Sequence, residues 1–165
     1  MAEETKKTPQ TPEEIAREAR IQYGFGLNVV YKNFDLGVFF NGSAMRKIML
    51  SGIHPFGQLD QNIFQFVADN RWTETNPDPH AAYPRLGLAK SHTDNNVVSS
   101  TYWMRNGNFL RFKTLEIGYR FKYGRIYLTG DNLAVFSPFK EWDPELEWYK
   151  YPLQRTFNVG LQLNF

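Results

Sequence analysis

Thr156-Phe157-Asn158-Val159-Gly160-Leu161-Gln162-Leu163-Asn164-Phe165 ends the chain and decides how the rest is read. On an extended backbone Phe157, Val159, Leu161, Leu163 and Phe165 point one way, and Thr156, Asn158, Gly160, Gln162 and Asn164 the other. That period of two marks a strand with one apolar face. Three more runs repeat it. Ile21, Tyr23, Phe25, Leu27, Val29 and Tyr31 alternate with Gln22, Gly24, Gly26, Asn28 and Val30. Phe34, Leu36, Val38 and Phe40 alternate with Asp35, Gly37 and Phe39, and Leu115, Ile117, Tyr119, Phe121 and Tyr123 with Thr114, Glu116, Gly118, Arg120 and Lys122. Over the four runs the first face is apolar at all 20 positions and the second at only 2 of 18, Val30 and Phe39. A helical period cannot produce that contrast. A fifth run, Arg125 to Val135, alternates through Ile126 and Leu128 until Gly130-Asp131-Asn132 interrupts it, as a bulge would. None of the 9 prolines falls inside these runs, as ladder hydrogen bonding requires.

Composition agrees with alternation rather than apolar blocks. The 165 residues, enough for one domain, hold 14 Phe, 9 Tyr and 4 Trp, yet the mean hydropathy is only −0.51. A net charge of +2 leaves no basic excess to grip nucleic acid, so no nucleic-acid partner is expected. The absence of cysteine excludes a disulfide framework and thiolate metal sites. Residues 1–20 carry charges and no aromatic ring, which sets a boundary near Arg20 between a charged tail (1–20) and a β segment (21–165). In the tail Thr11, Pro12 and Glu14 form a capping box for a short helix ending at Arg20. That helix is shorter than the roughly 12–15 residues an isolated helix needs in water. The start, MAEETKKTPQ, lacks the apolar core of an export signal, so no signal peptide is expected in this chain.

Alternation alone does not say which face meets water. Connection lengths bear on it: tight turns at Lys32-Asn33 and near Tyr123-Gly124 alternate with long loops at 45–108 and 136–154. Short turns then lie at one end of an up-and-down sheet and long loops at the other, the asymmetry of outer-membrane barrels. The polar face is rich in Gly, Asn, Gln and Thr, as a wet lumen would be. Tyr23, Tyr31, Phe34, Tyr119, Tyr123 and Phe165 lie toward the ends of the apolar stripes, where interfacial girdles belong. The expected fold is therefore all-β, with antiparallel strands in a transmembrane wall and the apolar stripe against outer-membrane lipid. About five strands are visible, with at most one or two more inside the long loop, and closure takes about eight. The chain must then be part of a larger barrel or assemble with other chains. The alternative is a soluble β-barrel or β-sandwich that binds a hydrophobic or sugar ligand, with the apolar residues lining a core.

Chemistry-bearing constellations are few. His54, His80 and His92 lie 26 and 12 residues apart, without metal-ligand spacing. Glu141, Asp143, Glu145 and Glu147 stand among Trp142 and Trp148, but carboxylates in a loop are usually solvated, and their spacing is not that of an EF-hand. No nucleotide-binding or nucleophile motif occurs in its strand–turn–helix context, so neither an enzyme, a cofactor nor a metal is expected. Trp72, Trp103, Trp142 and Trp148 are candidates for contact with a sugar or peptide; the alternative is that they pack the loops or join the girdle. Glu116, Arg120, Lys122 and Arg125 are lumen-facing candidates, suited to salt bridging or to contact with a plug.

The order of several short segments resembles one family. Tyr23-Gly24-Phe25-Gly26-Leu27-Asn28 with Tyr31-Lys32-Asn33-Phe34-Asp35-Leu36 is followed by Arg71-Trp72-Thr73-Glu74-Thr75-Asn76-Pro77 and Tyr83-Pro84-Arg85. Then come Asn108-Phe109-Leu110-Arg111-Phe112-Lys113 leading to Leu115-Glu116-Ile117-Gly118-Tyr119, Gly130-Asp131-Asn132-Leu133, Asp143-Pro144-Glu145, Tyr151-Pro152-Leu153-Gln154-Arg155-Thr156-Phe157 and the terminal Phe165. Together they resemble the C-terminal barrel segment of SusC/RagA-type TonB-linked outer-membrane transporters, over residues 21–165. The resemblance implies a barrel of about 22 strands with a lumenal plug. It further implies uptake of oligosaccharides or peptides, a SusD-like surface lipoprotein, TonB as the energy source, and the outer membrane of a Bacteroidetes-like Gram-negative bacterium. The chain holds no plug or TonB-contacting segment, so it is not expected to transport alone. Phe165 is similar to the signal by which the barrel assembly machinery recognises its clients.

Overall fold

The computed structural model describes residues 21–50, 63–87, 96, 98, 100–146 and 150–164. The tail with its expected helix, and Phe165, lie outside the described residues. Five strands form one antiparallel meander in the order β1 (Ile21–Tyr31), β2 (Phe34–Ala44), β5 (Phe109–Phe121), β6 (Gly124–Phe136) and β7 (Thr156–Leu163). The long segment between β2 and β5 carries a second, two-stranded sheet of β3 (Lys47–Met49) and β4 (Met104–Asn106), and a single-turn helix, α1 (Gln65–Asp69). Each strand forms where sequence alternation is strongest, because pairing then places like side chains side by side.

The register shows this row by row. Tyr31, Phe34, Tyr119, Ile126 and Leu161 lie across the sheet next to the tight turns. Val29, Leu36, Ile117, Leu128 and Val159 form the next row, and Leu27, Val38, Leu115, Gly130 and Phe157 the one beyond. Above them Phe25, Phe40 and Phe112 stack with centroids 5.2 and 4.7 Å apart. β1, at 11 residues, spans about 34 Å along its axis and about 26 Å when tilted by about 40°, close to the height of a lipid-facing band.

Two irregularities keep the rows aligned. A single step in β2, Phe39 to Phe40, faces two steps in β5, Thr114 to Phe112, which face three in β6, Asp131 to Ala134. The bulge at Lys113 resets the parity of β5. Phe112 and Leu110 therefore join the apolar face while Arg111 and Phe109 turn to the polar one; uninterrupted alternation would do the reverse. The expected interruption of β6 is likewise a bulge, and Asn132 there takes a left-handed φ of 53°.

One expectation needs a small correction. Phe121 pairs with Gly124, so the second tight turn is Lys122-Tyr123 and not Tyr123-Gly124. Lys122 and Tyr123 sit in that turn instead of extending the strand. Lys122 Nζ lies 5.0 Å from the Tyr123 ring and Lys32 Nζ 5.3 Å from Tyr31, so each tight turn sets an ammonium over a tyrosine.

Burial is inverted relative to a soluble β domain. Leu27 is 59% exposed, Ile117 42%, Leu161 61% and Leu163 49%, so these side chains do not meet in a sealed interior, as the soluble alternative requires. The described residues form two units. In the one that holds the five-stranded sheet, buried apolar side chains collect at the long-loop end: Ile48, Phe109 and Phe139. In the other, Leu50–Trp103, they are Leu50, Val67, Tyr83 and Trp103. No helix among the described residues is long and apolar enough to cross a membrane, which says nothing about strands.

The parity reset at Lys113 gives a test of the fold. Deleting Lys113 would push Arg111, a buried ion-pair partner, onto the apolar face, and is expected to destabilise the protein by at least about 3 kcal/mol. The loss would appear as a lower denaturation midpoint and faster amide exchange in β5 and β6.

Candidate functional site: the polar face and its two ionic clusters

The polar face of the sheet bounds a groove of about 740 Å³, with Asn28, Asp35, Glu116, Arg120 and Arg125 in its lining. All five strands contribute to it, β7 through Gln162, because every second residue of each strand points the same way. At its turn end Arg125, on β6, reaches across β5 to β2. Its guanidinium donates to both Asp35 carboxylate oxygens and to Glu116 Oε1. Gly118 makes the crossing possible: a Cβ there would stand 2.6 Å from Arg125 Nε. Arg120 Nε is 3.4 Å from Asp35 Oδ2, and the Arg125 guanidinium lies 5.0 Å from the Tyr127 ring. Three strands are thus braced through one cation.

A second cluster lies at the long-loop end. Arg111 Nη2 donates to Asp143 Oδ1 at 2.5 Å, with side-chain exposures of 3% and 7%, and Arg111 Nε lies 2.7 Å from Glu145 Oε2. Arg46 donates to the Glu145 carbonyl at 3.4 and 3.5 Å, and Asn41 Nδ2 to Glu145 Oε1 at 3.4 Å. Burial pushes the Arg46 guanidinium below its ordinary pKa, while Glu145 and then Asp143 pull it back up. The cluster ties the loop after β6 to β5 and to the end of β2. Ser137 helps, donating to the Asn108 carbonyl at 2.7 Å.

The candidates from sequence are distributed as follows. Glu116, Arg120 and Arg125 come together on the polar face, while Lys122 is in the turn. Trp103 is buried, donates its indole N–H to the Asn96 carbonyl at 3.0 Å, and packs edge-on against Tyr102 with centroids 5.1 Å apart. Trp72 is half-buried, and its backbone N–H donates to the Tyr83 carbonyl at 2.9 Å. Trp142 is half-buried and donates to the Lys150 carbonyl at 2.7 Å. Trp148 lies outside the described residues, as do His54, His92 and Glu147. Of the three described tryptophans, Trp72 and Trp103 belong to the Leu50–Trp103 unit and Trp142 to the unit that holds the five-stranded sheet.

Sequence reasoning did not single out Asp35, Arg46 and Arg111. For Asp35 a signal existed: an acid at a polar-face position, two residues beyond the first tight turn, on a strand that pairs with the one bearing Arg120. For Arg111 the signal was the break in alternation itself, since the apolar positions Leu110 and Phe112 change parity to Leu115 and Ile117 across Lys113-Thr114. Two of the short motifs also find each other, because Arg71 and Tyr83 form a parallel bridge and the Tyr83 N–H donates to the Asn70 carbonyl at 3.3 Å.

Removing Arg111 would strand two carboxylates in a poorly solvated place. The Arg111→Ala change is therefore expected to lower unfolding free energy by about 3–5 kcal/mol. Arg120→Ala, at a side chain 59% exposed, should cost no more than about 1 kcal/mol. Denaturant titration of the two variants beside the parent measures both.

No family model matches the chain. Among curated proteins it is 27% identical to the TonB-dependent receptor P3 of Formosa agariphila and 26% identical to the TonB-dependent receptor SusC of Bacteroides thetaiotaomicron. Each alignment covers 86% of this chain, but the chain spans only 16% and 15% of the length of those relatives. Among solved structures, the RagAB peptide transporter superposes with a TM-score of 0.65 at 24% identity, over 86% of this chain and 17% of that one. The RagAB importer in its open-open state gives 0.64 at 23% identity. The structural likeness is one of fold, and the sequence likeness is to TonB-dependent receptors. Sequence relatives and structural neighbours thus converge: over 86% of its length the chain is similar to a segment of TonB-dependent receptors of the SusC/RagA type.

Proposed function

We propose that the sheet is part of the wall of an outer-membrane importer, with its apolar face against lipid and its polar face toward a water-filled lumen. The observation that carries this reading is the exposure of Phe25, Leu27, Leu36, Ile117, Leu128, Val159 and Leu161 on one apolar face, with Val38, Phe40, Phe112 and Leu115 half-buried among them, beside a polar face braced by ion pairs. In water such a surface far exceeds the apolar patch a soluble monomer tolerates; against hydrocarbon it carries no such penalty. The aromatic rows at its ends, Tyr31, Phe34 and Tyr119 by the turns and Tyr23 and Phe136 by the loops, support the same placement. The outer edges of β1 and β7 have no neighbouring strand among the described residues, and in lipid each unpaired backbone group costs several kcal/mol. The remainder of the barrel supplies those neighbours in this reading, and the segment occupies the C-terminal end of the wall.

The import function is non-enzymatic. The cargo is an oligosaccharide or a peptide, taken up with a SusD-like lipoprotein over the lumen, a plug within it and TonB as the energy source. The outer membrane of a Bacteroidetes-like bacterium is the location, reached through the barrel assembly machinery with Phe165 as the recognition residue.

The orientation can be tested directly because the chain has no native cysteine. In outer-membrane fractions of cells that carry the gene, a water-soluble maleimide should label Asn158→Cys and Thr129→Cys and leave Val159→Cys and Leu128→Cys unlabelled. The opposite labelling pattern would reject the placement of the two faces.

A further inference from the structure

We infer that Phe39 is a stacking platform on the lumenal wall for a sugar ring of the cargo, an assignment that rests on the wall reading above. Phe39 is one of two apolar residues on the polar face of the regular runs, and 44% of it is exposed. It pairs with Gly26 on β1 and Thr114 on β5. One edge of its ring, Cδ2–Cε2–Cζ, lies along two glycines of β1. A Cβ on Gly24 would stand 3.1 Å from Cζ, and one on Gly26 3.2 Å from Cδ2. The bare strip of β1 is therefore what gives the ring its seat, and the rest of the ring is left to solvent.

Two grooves meet at this ring. One, of about 740 Å³, passes Asn28, Thr114 and Glu116; the other, of about 450 Å³, passes Gln22, Asn41 and Glu145. The two carboxylates already have cationic partners, Arg125 for Glu116 and Arg111 for Glu145. The Thr114 hydroxyl donates to Asp131 Oδ1 and Asn41 Nδ2 to Glu145 Oε1, which leaves the neutral amides of Gln22 and Asn28 to face a ligand. An aromatic surface rimmed by neutral hydrogen-bonding groups suits a pyranose, whose C–H face is apolar and whose rim carries hydroxyls. An apolar protein segment laid on the same place would leave the amides without partners, and a charged peptide would find its counter-charges already taken.

The test places a single thiol at the platform in the assembled receptor. Phe39→Cys and its lipid-facing neighbour Val38→Cys are exposed, in outer-membrane fractions, to a water-soluble maleimide. The expected result is labelling of the first and not the second. Labelling of Val38→Cys alone would sink the wall reading itself; silence at both positions would mean that other protein covers the ring, which overturns the platform and leaves the wall standing. Labelling of Thr114→Cys, paired with Phe39 on the same face, is then measured with the ring present and in the Phe39→Ala background, with maltohexaose, cellohexaose, xylohexaose or a mixed hexapeptide pool as competitor. With Phe39 present at least one hexaose should slow it about fivefold or more, an effect lost in the Phe39→Ala background, with the peptides inert. Protection by the peptide pool alone, or by none of the four probes, would overturn the sugar assignment.

Discussion

Antiparallel register is the constraint on which everything else in this protein depends. Opposed residues on neighbouring strands share a face, so five alternating strands in matched register produce one apolar surface and one polar surface. A slip of one residue on any strand would send aromatic side chains to the polar side and carboxylates to the apolar one. The bulges at Lys113 and around Asn132 hold that match where strict alternation would lose it, and so they belong to the design of the wall.

From that two-faced sheet follow both ionic clusters. Arg125 can bridge Asp35 and Glu116 only because β2, β5 and β6 are adjacent and Gly118 clears the path between them. Arg111 can hold Asp143 and Glu145 only because the bulge turns it away from the apolar side. Both clusters lie on the polar face, where partial solvation keeps the cost of the charges modest at the turn end and fuller burial makes the pairing obligatory at the loop end. Apolar burial is likewise displaced from the sheet to the loops, with Phe109 and Phe139 buried at the long-loop end of the sheet unit.

The segments that carry the family resemblance acquire physical tasks. Asp143-Pro144-Glu145 supplies the carboxylates that anchor the loop after β6 to Arg111. Gly130-Asp131-Asn132-Leu133 is the bulge of β6, and Arg71 and Tyr83 bridge two stretches of the long segment within its own unit. They shape a wall and hold its loops.

Strand number, strand order and the composition of each face were legible in the amino-acid order, because a period of two is local and each run carries its own evidence. Asp35 was half-legible: its face could be assigned, but its partner lies 90 residues away on a strand two positions across the sheet. The inward turn of Arg111 was half-legible too: the parity of apolar positions changes across Lys113-Thr114, but its partners Asp143 and Glu145 lie on a loop more than 30 residues away. The packing of Trp103 against Tyr102 was not legible, nor was the seat of Phe39 on two glycines of another strand. The sequence by itself determined which side chains share a face. Only the tertiary structure decided which of them touch across strands, because contact between distant segments is set by register, and register is a property of the paired sheet.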